Sequence, residues 1–426
     1  MRMRKKLREF MHILGPGFIT GASDDDPSGI GTYSQAGAQF GYQQLWFSGF
    51  SLPFSIFIQE ICGRIGLVTG KGLAGIIRKY YAKRILYTAV LLLLIANSIN
   101  IGADLGAMAA SAQLVLPLPF VVLLIAMTAI TLLLEVFVSY KVYSRYLKYL
   151  ALSLGAYIVV VFLVKQDWGV VLRSSIIPHF DFSEKYLMNI VALLGTTISP
   201  YLFFWQADEE VEEEVAEGKL QSMGRGIPNI NTGDIRAMRL DTIIGMTFSN
   251  LVMFFIILTT ASTLHQNGIT TIETADQAAA ALAPLAGKWA SLIFALGIVG
   301  IGLLAVPVLA GSVSYAVSDA FGWREGLYRK FEQAHGFYGV IILATLIGLF
   351  INFTPIKPFT MLYYTAIING LAAPILMVLI MRISSNQIIM GRHTNSRASG
   401  IMGWLITVIM SVCALALVGS LVLQRL

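Results

Sequence analysis

Charge is scarce in this chain. Asp, Glu, Lys and Arg together make up 13% of its 426 residues, against about 25% in an ordinary soluble domain. That excludes a water-soluble globule. Cysteine is nearly absent: Cys62 and Cys413 both fall in apolar stretches, with no CxxC pair, so a disulfide framework is excluded and both read as small buried apolar residues. The five histidines, His12, His179, His265, His335 and His393, sit in loops or at the ends of apolar runs. No HExxH pair is present, which argues against an intramembrane zinc protease and leaves no catalytic residues to name. No histidine offers a proton relay at mid-membrane either. Basic patches interleaved with aromatics are missing, so the net charge of +6 does not mark a nucleic-acid partner. Repeats of 20–50 residues are missing too.

What fills the chain is apolar sequence, 56% of all residues, with a mean hydropathy of +0.72. A span needs roughly 20 apolar residues to cross about 30 Å of hydrocarbon, and about eleven such stretches can be counted on that length. They centre near 12–38, 43–67, 86–113, 119–139, 147–164, 187–206, 241–264, 287–318, 337–352, 359–381 and 399–424. The chain therefore reads as an all-α membrane protein with the lipid bilayer as partner. Residues 1–426 form a single transmembrane domain, with 12–164 as a first repeat, 187–381 as a second, and 399–424 as an extra span. The first span is not expected to be a cleaved signal peptide, because it carries three acids and a proline. With the N-terminus inside, 24 of the 30 Lys and Arg fall on the inner side and 6 on the outer, the inner ones including the MRMRKK start and the 71–84, 141–148 and 382–397 loops. The positive-inside rule then puts the N-terminus in the cytoplasm and the C-terminus outside. A prokaryotic inner (plasma) membrane is the expected location. The acidic run 208–217 reads as a solvated helix face; the sharper alternative is a vestibule that gathers cations.

Two spans are interrupted. In the first, GPGFITGASDDDPSGIGTYSQ places Asp26 before Pro27; in the sixth, ALLGTTISPYLFFWQADEE places Ser199 before Pro200. Asp or Ser followed by Pro ends one helix and starts the next. A break at membrane depth leaves bare backbone groups, tolerated only where they line a cavity. Paired breaks half a chain apart mark a transporter built of two repeats, with its site where they meet. Asp26 is expected to aim a carboxylate into that cavity, with Ser23, Thr196 and Ser199 adding hydroxyls beside freed carbonyls. Such hard oxygens suit Mg²⁺, Ca²⁺ and Mn²⁺. Asp24 and Asp25 fit helix capping near a membrane face better, with Asp25 kept as a pathway residue. Thr197 is expected to bond its own backbone, and Trp205 to pack.

The motifs GPGF, DPSG, QAGAQFGYQQLW and GRIGLVTGKGL resemble the first two spans of the Nramp divalent-metal transporters, and the likeness extends more loosely over about 12–381. The resemblance implies a LeuT-type fold with inverted repeats (spans 1–5 and 6–10), and import of a divalent metal bound between spans one and six. The metal is the substrate, and no cofactor is implied. The family pattern DPGN becomes DPSG, so its Asn is Gly29; its Met-Pro-His becomes Ser199-Pro200-Tyr201. Losing the thioether shifts preference toward hard ions, and the chain looks like the Nramp-related magnesium transporter branch, with Mg²⁺ or Mn²⁺ favoured over Fe²⁺. Asp104 matches the family's third-span Asp, but the acid three residues on is Ala107, and the ninth span holds no Arg. The expectation is movement without obligatory proton co-transport. The alternatives are a proton-coupled Mn²⁺/Fe²⁺ importer and an ion-coupled organic-solute transporter of the same fold.

Asp104, Tyr201 and Asn369 are the further pathway candidates. Asn97 and Asn100 read as interhelical hydrogen-bonding groups, Glu60 as an ion-pair partner of Arg64, Glu135 as interfacial, and Asp241 as a cap at the start of span seven. Assembly as a homo-oligomer is left open by the sequence.

Overall fold

A computed structural model describes residues 15–138 and 154–423. The basic N-terminal run, His12, the 141–148 loop and the start of span five lie outside the described residues.

Span one is α1 (Pro16–Asp24) followed by α2 (Pro27–Phe40). Then come α3 (Trp46–Thr69), the short α4 (Leu73–Tyr80), α5 (Lys83–Gln113), α6 (Phe120–Phe137), α7 (Gly155–Leu163) and α8 (Trp168–Ile176). Span six is α9 (Glu184–Thr197) and α10 (Pro200–Ala216). The remainder is α11 (Thr232–Thr263), α12 (Ala290–Phe321), α13 (His335–Ile351), α14 (Pro358–Ser384) and α15 (Arg397–Leu423). Among the described residues, eight helical segments are long and apolar enough to cross a membrane. Joined to the broken first span, the shorter α13 and α7, they give the eleven spans expected, with α11 starting nine residues earlier than its apolar centre suggested.

Proline alone does not break a span. Pro53, Pro307 and Pro374 lie inside continuous helices. Pro27 and Pro200 begin helices because Asp26 and Ser199 before them are extended, with ψ of 170° and 140°. That is the region a residue before proline favours. A polar residue that can satisfy loose backbone groups makes the difference; Leu52, Val306 and Ala373 cannot.

The helices sort into two packed groups. Spans one, two, six and seven contact one another, with α11 against α1, α2 and α3, and α10 against α3. Spans three, four, eight and nine form the second group. α14 bridges them by packing on α9, α5 and α2. Without a hydrophobic force between helices in lipid, close backbone approach supplies the packing. A Cβ on Gly21 would lie 2.2 Å from the Gly245 carbonyl oxygen, so α1 and α11 meet where no side chain fits. At the periphery, only 28% of the apolar windows of α6 and α15 is buried, leaving the rest for lipid.

Several expectations change. Asp241 does not cap its own helix, which starts at Thr232 with Asn231 as its cap. It caps α1 instead, accepting from the backbone N–H of Gly15 (3.0 Å), Gly17 (2.7 Å) and Phe18 (3.2 Å). Glu135, two residues from the end of α6, faces inward and completes the buried stripe of that helix, with Leu124, Thr128 and Thr131 at helical spacing. The acidic run is not a solvated face either. Asp208, Glu209, Glu210, Glu212 and Glu214 are all buried, because α10 is wedged between α3 and α12. Tyr315 Oη and the Leu327 N–H donate to Glu212, and Gln206 donates to Glu210 at 2.8 Å. Glu60 pairs with Arg64 (3.1 Å) as expected, and also with Arg239 (2.8 Å). Asn97 bonds α12 through the Leu309 carbonyl and Ser312.

Candidate functional site

The two interruptions meet. Asp26 is the N-cap of α2: its Oδ1 accepts from the Gly29 N–H (2.6 Å) and Ser28 Oγ (2.7 Å). Its Oδ2 accepts from Asn100 Nδ2 at 2.9 Å. It is 1% exposed. A carboxylate at the bilayer centre costs at least about 2.5–3.5 kcal/mol on the lenient insertion scale, while hydrogen bonds to a charged group return about 1.5–3 kcal/mol each. Three such bonds therefore offset much of the cost of placing Asp26 there.

Gly29 shows how tightly the elements close here. A Cβ at Gly29 would meet the Asp24 carbonyl oxygen at 3.0 Å, Thr196 Oγ1 at 3.2 Å and Asp26 Oδ1 at 3.4 Å. Three hard oxygens, from α1, α9 and the cap of α2, thus converge beside Gly29, where there is little room for a side chain. The C-termini of α1 and α9 and the N-termini of α2 and α10 all meet at this junction, and the carbonyl ends are the groups that can face a cation. Among the described residues no three His, Cys, Asp or Glu side chains converge as a metal-holding group. A cation here would rest on one carboxylate plus carbonyl, hydroxyl and water oxygens, a set suited to an ion that keeps part of its hydration shell.

The other sequence candidates fall in different places. Ser199 occupies the N-cap position of α10 without capping it. Its hydroxyl donates back to the carbonyls of Gly195 (2.7 Å) and Thr196 (2.8 Å), closing the end of α9. Thr197 likewise bonds the Leu193 carbonyl at 2.7 Å. Tyr201 Oη donates to the Ser23 carbonyl at 2.9 Å, joining the two broken spans directly. The Ser23 hydroxyl itself is buried without a partner. Trp205 packs against Tyr315 and Gly311.

Asp24 and Asp25 were expected near a membrane face, but both are fully buried. Ser249 Oγ on α11 lies 2.5 Å from an oxygen of Asp24 and 3.3 Å from one of Asp25. The reason is that α1 ends within the bundle, not at its edge.

Asn100 was read as a structural group, and the sequence offered no signal beyond a polar residue in an apolar span. It is the hub of the site. Its Nδ2 serves Asp26 and, at 3.1 Å, Asp104; its Oδ1 accepts from Asn369 Nδ2 at 3.0 Å. The second oxygen of Asp104 and Oδ1 of Asn369 remain buried without a partner. A polar chain therefore runs from the first break through span three to span ten.

Similarity to known proteins agrees with this geometry. Residues 17–420 match the family model described as natural resistance-associated macrophage protein-like, Nramp. The divalent metal cation transporter MntH of Klebsiella pneumoniae (strain 342) is 26% identical over 416 residues, covering 96% of this chain and 94% of the relative. A manganese transporter of Eremococcus coleocola, solved with an aromatic bis-isothiourea compound, shares the fold with a TM-score of 0.76 at 16% identity, covering 95% of this chain and 85% of that one. Mhp1, a nucleobase-cation-symport transporter in a closed conformation, follows at a TM-score of 0.61 and 12% identity, covering 96% and 90%. The fold is thus the all-helical LeuT type with spans one and six broken, and the chain belongs to the Nramp family.

Proposed function

We propose that this chain imports divalent metal cations, Mg²⁺ and Mn²⁺ ahead of softer metals, at the junction of its two broken spans and without obligatory proton co-transport. The observation that carries the reading is the convergence of oxygens at the junction of the two breaks: the Asp26 carboxylate, the Asp24 carbonyl and the Thr196 hydroxyl all come within 3.4 Å of the Gly29 Cβ position. The names of the relatives, a divalent metal cation transporter and a manganese transporter, support the substrate class. Asp26 is the charged ligand. Thr196, Ser23 and the carbonyl beside Ser199 complete the shell with water, and Asp25, Asp104, Tyr201 and Asn369 line the way. Entry is from outside, with the N-terminus in the cytoplasm and the C-terminus outside.

Proteoliposomes carrying a pH dye and supplied with Mn²⁺ or Mg²⁺ test this reading. Expected is saturable metal uptake with no internal acidification. Acidification that scales with metal uptake would instead make Asp104, tied to Asp26 through Asn100, the proton carrier of a coupled importer.

Gly29→Ala gives a second, finer test. The residue is helical, and alanine favours a helix by about 1 kcal/mol over glycine, so the fold is expected to persist. Its methyl group, however, would sit among the three oxygens. The apparent affinity for Mn²⁺ in uptake assays should fall by at least about tenfold, within the roughly 10–100-fold range for disturbing a ligand's surroundings.

A further inference from the structure

A second feature lies away from the broken spans. A cavity of about 600 Å³ opens where the loops after spans two, six and eight come together, the side expected to face the cytoplasm. Six cationic side chains line it: Lys71, Arg78, Lys79, Arg225, Arg324 and Arg329. Only two acids, Asp319 and Glu325, line it with them. Burial, reinforced by the Asp319 and Asp208 carboxylates, pushes the Glu325 carboxyl well above its usual range, and it hydrogen-bonds Asp319.

Three of the cations are held in place by main-chain oxygens. Lys71 bonds the Gly224 carbonyl, Arg78 the Asp319 carbonyl at 3.0 Å, and Arg329 the Glu325 carbonyl at 2.9 Å. Carbonyls orient a cation without cancelling its charge. The positive-inside rule needs basic residues on this side, but it does not need them around one concavity. A concave site of one sign focuses its field and concentrates counter-ions, and guanidinium groups match phosphate oxygens in paired hydrogen bonds.

We propose that this cavity binds a phosphate-bearing anion, either a soluble polyphosphate or the headgroup of an anionic lipid. Such an anion would join Arg225, on the loop after span six, to Arg324 and Arg329, on the loop after span eight. That tie lies beside one already present, in which Glu212 of α10 accepts from Tyr315 and the Leu327 N–H. An ion leaving along α10 on this side needs these elements to part. Occupancy of the cavity therefore holds this side closed and slows release, whichever metal is carried.

The test uses the full chain in nanodiscs of neutral phosphatidylcholine or with phosphatidylglycerol, in chelator-treated buffer so that metal does not compete for the probe. Arg225→Glu/Arg324→Glu alters two exposed residues, and metal uptake by this variant checks its fold. Binding of tripolyphosphate is read by calorimetry and by the fluorescence of Trp323, which lines the cavity. If the ligand is soluble, tripolyphosphate binds in neutral discs and the variant weakens binding at least about tenfold, as expected for loss of paired Arg–phosphate contacts. If it is a headgroup, tripolyphosphate does not distinguish the proteins, but phosphatidylglycerol raises the unfolding temperature of the wild type and not of the variant. Equal response of both proteins to both probes overturns the proposal.

Discussion

Asp26→Ala is expected to abolish saturable divalent-cation uptake in a protein that still folds. Two roles of Asp26 have to be separated. As N-cap of α2 it satisfies the Gly29 N–H and holds Ser28, and loss of such a cap costs about 0.5–2 kcal/mol. That cost is local, because α2 remains packed on α11 and α14. Of the three oxygens nearest the Gly29 Cβ position, the Asp26 Oδ1 is the one that belongs to a carboxylate, and the other two are neutral dipoles. Calorimetric titration with Mg²⁺ and Mn²⁺ should therefore show affinity falling by more than the roughly 10–100-fold typical of losing a residue that only orients a ligand. Asp26→Asn isolates the charge. Asparagine caps a helix as well as aspartate does, so α2 should be as stable as in the native chain, yet metal binding should be lost almost as completely. An Asp26→Asn protein that binds Mn²⁺ like the wild type would show that capping, not ligation, is what this residue does.

The architecture was legible in the sequence because lipid imposes a coarse code. Apolar runs of fixed length reveal spans, and a capping residue before proline separates Pro27 and Pro200 from Pro53, Pro307 and Pro374, which leave their helices intact. Side-chain destinations were less legible. Asp208 to Glu214 look like a solvated face until α3 and α12 are seen to close over them. Asp241 looks like a cap for the helix it belongs to, and it is a cap for a helix more than two hundred residues away. Asn100 is a lone polar residue in an apolar run; only the meeting of spans one, three and ten makes it a hub. In each case the missing information is which helices are neighbours, and hydropathy does not encode that. The oxygen cluster at Gly29 is subtler still. It is defined by oxygens on three separate elements that approach closely because the residue between them has no side chain.

Ser199→Met is expected to convert the metal preference. In the native chain the three atoms nearest the Gly29 Cβ position are all oxygens, so Cd²⁺ should compete with Mg²⁺ uptake only at comparable concentrations. A thioether is soft and favours soft or borderline ions over Mg²⁺. Position 199 lies at the break of span six, one turn beyond Thr196, whose Oγ1 is one of those oxygens. Methionine is unbranched and adaptable, and can fill such a space. The substitution has a cost: the Ser199 hydroxyl now satisfies the Gly195 and Thr196 carbonyls, and losing those bonds removes about 0.5–1.5 kcal/mol each. Those same carbonyls become free to face the ion, so the loss falls on the stability of the α9 end and not on binding. The expected outcome is a slightly lower unfolding temperature and weaker Mg²⁺ uptake. Half-inhibition of Mn²⁺ uptake by Cd²⁺ should move to at least about 100-fold lower concentration, the equivalent of two tenfold steps of about 1.4 kcal/mol each. If the native chain already binds Cd²⁺ orders of magnitude more tightly than Mg²⁺, a soft donor is at work that the oxygen set does not contain, and the hard-ion reading of the site fails.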